Sequence, residues 1–123
     1  MTARAASPRT FTHIHRQCLD RAAELYLHDC FRNATRATVT EFAAILDRHP
    51  DYLARKAAAI LGASLLGYLR ARQLEEAERL ITVTTLGMKE IALRAGFGTV
   101  STFYRHFHEA HGTTPAAFRK VRK

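Results

Sequence analysis

The chain has no apolar run near the ~20 residues a membrane-crossing helix needs, and no signal peptide opens it. Its β-branched residues are scattered and never alternate over a strand's length, so no candidate strand emerges. Only two cysteines occur, Cys18 and Cys30. Both fall in one predicted helix, where a rise of 1.5 Å per residue separates them by ~18 Å, beyond disulfide reach. They read as buried thiols of a reducing cytoplasm. Phosphate loop, nucleophile elbow and paired-carboxylate cleft are all missing, which argues against an enzyme and implies no cofactor. His108-Glu109-Ala110-His111 places two imidazoles at i and i+3, but no cysteine or carboxylate cluster completes a metal site.

Acidic side chains are the other shortage, with 11 Asp and Glu against 19 Lys and Arg, for a formal charge of +8. The excess is uneven. Residues 83–123 carry 7 basic and 2 acidic side chains, while residues 63–82 carry 3 of each. A polyanion is the natural partner of such an electropositive end. Hydrophobic residues make up 47% of the 123, enough for a core and too many for a disordered chain. The length fits one domain, or two very small ones sharing a helix.

Helical spacing organises the whole sequence. A first helix is expected over Ile14 to Phe31, with Leu19, Ala22, Ala23, Tyr26, Leu27 and Cys30 inward. Thr38 can cap a helix over Val39 to Leu46, burying Val39, Phe42, Ala43 and Leu46. A turn over Asp47 to Pro50 leads to a helix over Asp51 to Leu61, with Leu53, Ala57 and Ile60 or Leu61 inward and Gly62 as its stop. A longer helix, Leu65 to Ile81, has Leu66, Leu69, Ala77 and Leu80 at core spacing. Met88, Ile91, Ala92 and Ala95 form the stripe of the next, which Gly96 ends because glycine enters the left-handed conformation freely. The following helix starts near Val100. Phe103 and Phe107 face inward; Ser101, Tyr104, Arg105 and His108 face outward. Gly112 ends it, and Thr114-Pro115 opens the last helix as N-cap and first residue.

An internal repeat lies across this order. Thr38–Ala43 aligns with Gly87–Ala92 at an offset of 49, and Asp51–Arg55 with Ser101–Arg105 at 50. The extra residue falls in the turn. Each half is therefore a helix-turn-helix.

The strings Ile91-Ala92-Leu93-Arg94-Ala95-Gly96-Phe97, Ser101-Thr102-Phe103-Tyr104-Arg105-His106-Phe107 and Gly112-Thr113-Thr114-Pro115 resemble the signature of the AraC/XylS family of bacterial transcription regulators. The resemblance covers about Ile14 to Arg119. It implies an all-α, homeodomain-like fold of seven helices. Two helix-turn-helix subdomains, residues 14–64 and 82–123, would be joined by a linker helix over 65–81, behind a disordered basic tail over 1–13. It further implies a cytoplasmic, nucleoid-associated protein that binds double-stranded DNA as a monomer and activates by contacting RNA polymerase. The family's usual N-terminal ligand-sensing and dimerising domain has no counterpart in these 123 residues, which leaves a stand-alone regulator or a piece of a longer one.

The family's base contacts align with Asp51, Ala54 and Arg55 in the first unit and with Val100, Ser101, Tyr104 and Arg105 in the second. An arginine can donate two bonds to guanine, serine bonds several bases or a phosphate, and valine can touch a thymine methyl. Asp51 would be repelled by phosphate unless it accepts from cytosine or pairs with Arg55 at i+4. The first unit departs from the pattern. Asp47 stands where glycine is usual, Arg48 replaces an apolar residue, His49 replaces a serine cap, and Lys56-Ala57 replaces a leucine-phenylalanine pair. That erosion supports an alternative, a protein-interaction adaptor or antagonist that keeps the fold; the retained Arg55, Arg105 and basic end weigh against it.

Overall fold

The computed structural model describes residues 15–122, and among these every regular element is an α-helix. There are seven: α1 (Arg16–Asn33), α2 (Val39–Ile45), α3 (Pro50–Leu61), α4 (Leu65–Val83), α5 (Met88–Arg94), α6 (Val100–His111) and α7 (Pro115–Arg122). The tail expected over 1–13, and Ile14, lie outside the described residues. None of these helices is long and apolar enough to cross a membrane. The chain forms two compact units. The first takes the described residues up to Tyr26 together with Thr38–Tyr68; the second takes Leu27–Ala37 together with Leu69 onward.

The repeat is visible in the backbone of each unit. Both α2 and α5 have 7 residues, and both α3 and α6 have 12. After α2, the N–H of Asp47 donates to Ala44 O and that of Arg48 to Ala43 O; after α5, Gly96 donates to Leu93 O and Phe97 to Ala92 O. The residue at the centre of each turn is left-handed, Asp47 at φ 58° and Gly96 at φ 80°. Aspartate enters this region at lower cost than most side chains, so the first turn closes as the second does.

In the first unit Leu19, Ala23, Tyr26, Phe42, Ala43, Leu46, Leu53 and Ala57 are buried. Tyr26 stacks on Phe42 with ring centroids 5.3 Å apart. Its hydroxyl accepts from Thr38 N–H at 2.9 Å and reaches Glu41 Oε1 at 2.7 Å. Thr38 Oγ1 in turn caps α2 by accepting from Glu41 N–H. Tyr68 donates its hydroxyl to Asp20. His49 does cap α3: its Nδ1 accepts the Asp51 N–H at 3.1 Å, with Pro50 as the first helical residue rather than part of the turn.

The second unit is built around Phe97, Phe103 and Phe107, packed with Ala77, Leu80, Ile81, Ile91, Ala92 and Ala95. Phe107 meets Phe103 and Phe118 edge-on, at 5.8 and 5.2 Å, and His111 at 4.3 Å. His111 Nε2 lies 2.7 Å from Glu78 Oε2, so this imidazole turns inward and away from exposed His108. No group of three metal-ligating side chains exists among the described residues. Thr99 and Thr114 cap α6 and α7 through their hydroxyls.

Three expectations are corrected here. Leu66 is exposed at 47%, and Leu65, at 2%, takes its place in the core. The inward row of α4 is Leu65, Leu69, Gln73, Ala77 and Ile81 at steps of four, and a polar residue within it displaced the apparent axis by one position. Cys18 is half-buried beside His15 rather than buried, while Cys30 is buried. Val39 is also only half-buried.

The faces of α6 and α4 separate by stability. Phe107→Ala should destabilise the fold by ~3–5 kcal/mol through a cavity. Leu66→Ala should stay within about 0.5 kcal/mol of the parent protein. Urea unfolding of both variants checks this; equal losses would mean that α4 is misoriented.

Candidate nucleic-acid interface

The outward positions of α6 are set from below. Gly96 and Phe97 are buried, and their turn is fastened by three hydrogen bonds. Gln73 Nε2 gives bonds to Ala95 O at 3.1 Å and Gly96 O at 2.8 Å; Ala37 N–H adds a bond to Gly96 O at 3.0 Å. Gln73 is 1% exposed and is the buried polar side chain of the described core. At the other end of the unit, Arg119 spreads its guanidinium over three carbonyls. Nε donates to Ile81 O, Nη1 to Leu86 O and Nη2 to Thr84 O, at 3.1, 2.7 and 3.1 Å. These bonds satisfy carbonyls that the end of α4 and its loop leave without helical partners.

On this base, Ser101 and Arg105 stand exposed on α6. Arg105 Nη2 lies 3.5 Å from His106 Nε2 and makes no ion pair with a described carboxylate. Val100 and Tyr104 are half-buried and pack on the aromatic core, Tyr104 meeting Phe103 edge-on at 5.8 Å. The helix thus brings the four expected residues onto adjoining positions, two projecting and two leaning inward.

On α3, Asp51 and Arg55 are exposed and Ala54 is half-buried. The suggested Asp51–Arg55 pair is not formed. The near partner of Asp51 is His49, at 4.0 Å, and Arg55 has no ion pair among the described residues. Lys56 instead lies over the Tyr52 ring at 5.9 Å.

Sequence spacing passed over a second group in the second unit. Arg70 of α4 covers the Phe97 ring at 5.7 Å, and His106 stacks on the same ring at 6.1 Å. The available signal was the sequence itself: Arg70 lies one residue after buried Leu69, where a side chain borders the core. Burial, then Arg70 and then Arg105, hold the His106 imidazole below its ordinary value of 6.5, while Glu109, at 3.6 Å, opposes them. A base whose folded value is depressed binds fewer protons folded than unfolded. Its contribution to stability is therefore complete above about pH 6.5 and declines as the pH falls toward the folded value. Replacing His106 with Gln should make the melting temperature less sensitive to acid between about pH 7 and 5. Parallel melting curves for the two proteins across that window would show that His106 carries no such linkage.

Comparison with known proteins agrees with this architecture. A family model described as a helix-turn-helix domain matches residues 42–121. The chain is 28% identical over 99 residues to the uncharacterized HTH-type transcriptional regulator YisR of Bacillus subtilis, a match that takes in 80% of this chain and 34% of YisR. The chain thus spans about a third of that relative's length. The C-terminal domain of AraT, a response regulator from Geobacillus stearothermophilus, matches with a TM-score of 0.72 at 32% identity over 84% of each chain. The DNA-binding domain of AdpA, a global transcriptional factor solved in complex with a target DNA, shares the fold, with a TM-score of 0.73 at 23% identity over 84% of this chain and 90% of that one. With the model matching well over half of its residues, the chain belongs to the AraC/XylS family and is an AraC-type helix-turn-helix DNA-binding domain.

Proposed function

We propose that this domain is a sequence-specific reader of double-stranded DNA that regulates transcription, with α3 and α6 as its two recognition helices. The observation that carries the reading is α6: its apolar face is closed on the core while Ser101 and Arg105 project with no described carboxylate to hold them. Arg105 is assigned to a guanine, the commonest specific contact in the major groove. Ser101 serves a base or phosphate, Val100 a thymine methyl at the rim of the core, and Tyr104 the backbone or an adjacent base. On α3, Arg55 takes the equivalent of the Arg105 role, Ala54 makes apolar contact, and Asp51 accepts from cytosine.

In this reading the repeats are two readers, residues 14–64 and 82–123, joined through the helix over 65–81. One chain then suffices for two successive major-groove segments. The domain acts in the cytoplasm on the nucleoid and activates through contact with RNA polymerase, as the family resemblance implies. The adaptor alternative drew on erosion of the first unit. That unit nevertheless closes its turn with left-handed Asp47 and caps α3 with His49, so its fold gives the adaptor no particular support.

Binding should be strongly salt-dependent. Each phosphate contact contributes ~0.9 to the fall of log K with log salt, so a slope steeper than about −3 is expected on B-DNA. Successive major-groove faces lie about 10–10.5 bp apart, so one chain should protect an asymmetric site of ~20 bp. Titration and footprinting of a selected duplex test both; a flat salt response removes DNA as the partner, and a palindromic footprint requiring two chains removes the monomer.

The two readers should contribute unequally. Arg105→Ala should cost about 1–3 kcal/mol of binding to the preferred site and relax preference at one base pair. Arg55→Ala should cost less, because Ala54 and Ala58 beside it bring no second donor. Titrations of the two variants, with melts showing equal stability, check the ranking; a larger loss at Arg55 reverses it.

A further inference from the structure

The ring of Phe97 gathers positive charge that base reading does not use. Arg70 lies over one part of it at 5.7 Å, and its Nε is buried with no hydrogen-bond partner. Next to Phe97, the stem of Arg36 crosses Gly98 so closely that a Cβ there would stand 3.2 Å from Arg36 Cδ. Gly98 is at φ 84°, so glycine both permits the turn and leaves room for the arginine. Arg36 comes from the segment Thr35–Ala37, which is bonded to the same turn through Ala37 N–H and Gly96 O. Neither guanidinium is paired with a described carboxylate. The near acid, Glu109, is held at 3.6 Å from His106. Burial, then Arg36, then Arg105, disfavour the charge on Arg70.

We propose that Arg36 and Arg70, gathered beside the turn over residues 96–98, form a seat for one backbone phosphate of double-stranded DNA. The assignment rests on the reading of α6 as a recognition helix. A phosphate supplies what the cluster lacks: an anion with several acceptor oxygens, matched to the fork of a guanidinium. Like charges held together without a counterion oppose the fold, and an arriving phosphate removes that opposition. Arg70 Nε has no hydrogen-bond partner in the described protein, and the guanidinium lies over the Phe97 ring. It can turn its Nε–H edge to an acceptor without breaking an existing hydrogen bond. Such a contact fixes register and carries no sequence information. Arg105, whose charge opposes that of Arg70, is left to the base edges.

The test uses the intact chain and a labelled 30-bp duplex of random sequence, titrated over a range of salt. Arg36→Gln, Arg70→Gln and the double variant are compared with Arg79→Gln, which removes equal charge from a side chain already bonded to Glu76 at 2.8 Å. Losing one phosphate contact should flatten the slope of log K against log salt by ~0.9. The double variant should fall about as far as either single one, because both arginines serve one phosphate, and Arg79→Gln should keep the parent slope. Affinity for selected and random duplexes should drop by the same factor, whereas Arg105→Ala should lower the ratio between them. Should Arg70→Gln fail to fold, exposed Arg36 alone decides. Parent-like slopes in folded variants overturn the seat while leaving the recognition helix in place. No duplex binding by the parent protein overturns both. If inorganic phosphate, at matched ionic strength, raises the parent's melting temperature but not the double variant's, and duplex binding is unchanged in that variant, the seat belongs to a free anion and the DNA assignment falls.

Discussion

A tight turn between two helices leaves carbonyls pointing where no helix can reach them, and burying that turn makes their satisfaction compulsory. In the second unit Ala95, Gly96 and Phe97 are all buried, and the donors come from elsewhere in the chain. Gln73 supplies two N–H bonds and the backbone of Ala37 a third. The direction in which α6 leaves the turn is fixed by those bonds, and with it the directions of Ser101 and Arg105. Under the proposed function, reading DNA therefore depends on a side chain that need never touch it. A carboxamide suits the place because it carries two donors and no charge, so it can be buried without the desolvation cost of an ion.

The first unit escapes that constraint, since Asp47 at the centre of its turn is exposed and Arg48 only half-buried. Its turn repeats the backbone bonds of the second, but the polar centre is the Tyr26 hydroxyl, which accepts from Thr38 N–H and meets Glu41. Where the second unit buries Phe97, the first has half-buried Arg48, whose Nη1 folds back to the carbonyl of Asp47. The duplicated backbone has diverged in what fills it. An aromatic cluster fills one unit, and a smaller core with a tyrosine-centred network supports the other.

Local punctuation made most of the fold legible. Thr38, Gly62, Gly96, Gly112 and Thr114-Pro115 act on neighbours within five residues, so their effect can be read from the sequence around them. Asp47 was legible for the same reason. The outward positions of α6 followed from helical period, though the period could not tell that Val100 and Tyr104 also lean on the core. What escaped were contacts made at long range. Gln73 sits in the inward row of α4 yet is polar, so an apolar pattern alone does not trace that row, and Leu66 was placed inside in error. Arg119, Arg36 and Arg70 are ordinary surface arginines in a linear reading. Only the tertiary path of the chain brings Arg119 to three carbonyls, Arg70 to the Phe97 ring and Arg36 across Gly98.

The Gln73 tie also bears on time. Its bonds close loops of 22 and 23 residues, and those of Arg119 span 33 to 38. Helices of this size form within about a microsecond on local contacts alone. Bonds across such loops return their energy only after closure entropy has been met. Interactions made late on the folding path govern how fast a structure comes apart more than how fast it assembles. The second unit can thus acquire its helices quickly while owing its lifetime, and the dwell of the outward face of α6 in one orientation, to a glutamine and an arginine that lie outside α6 in the sequence.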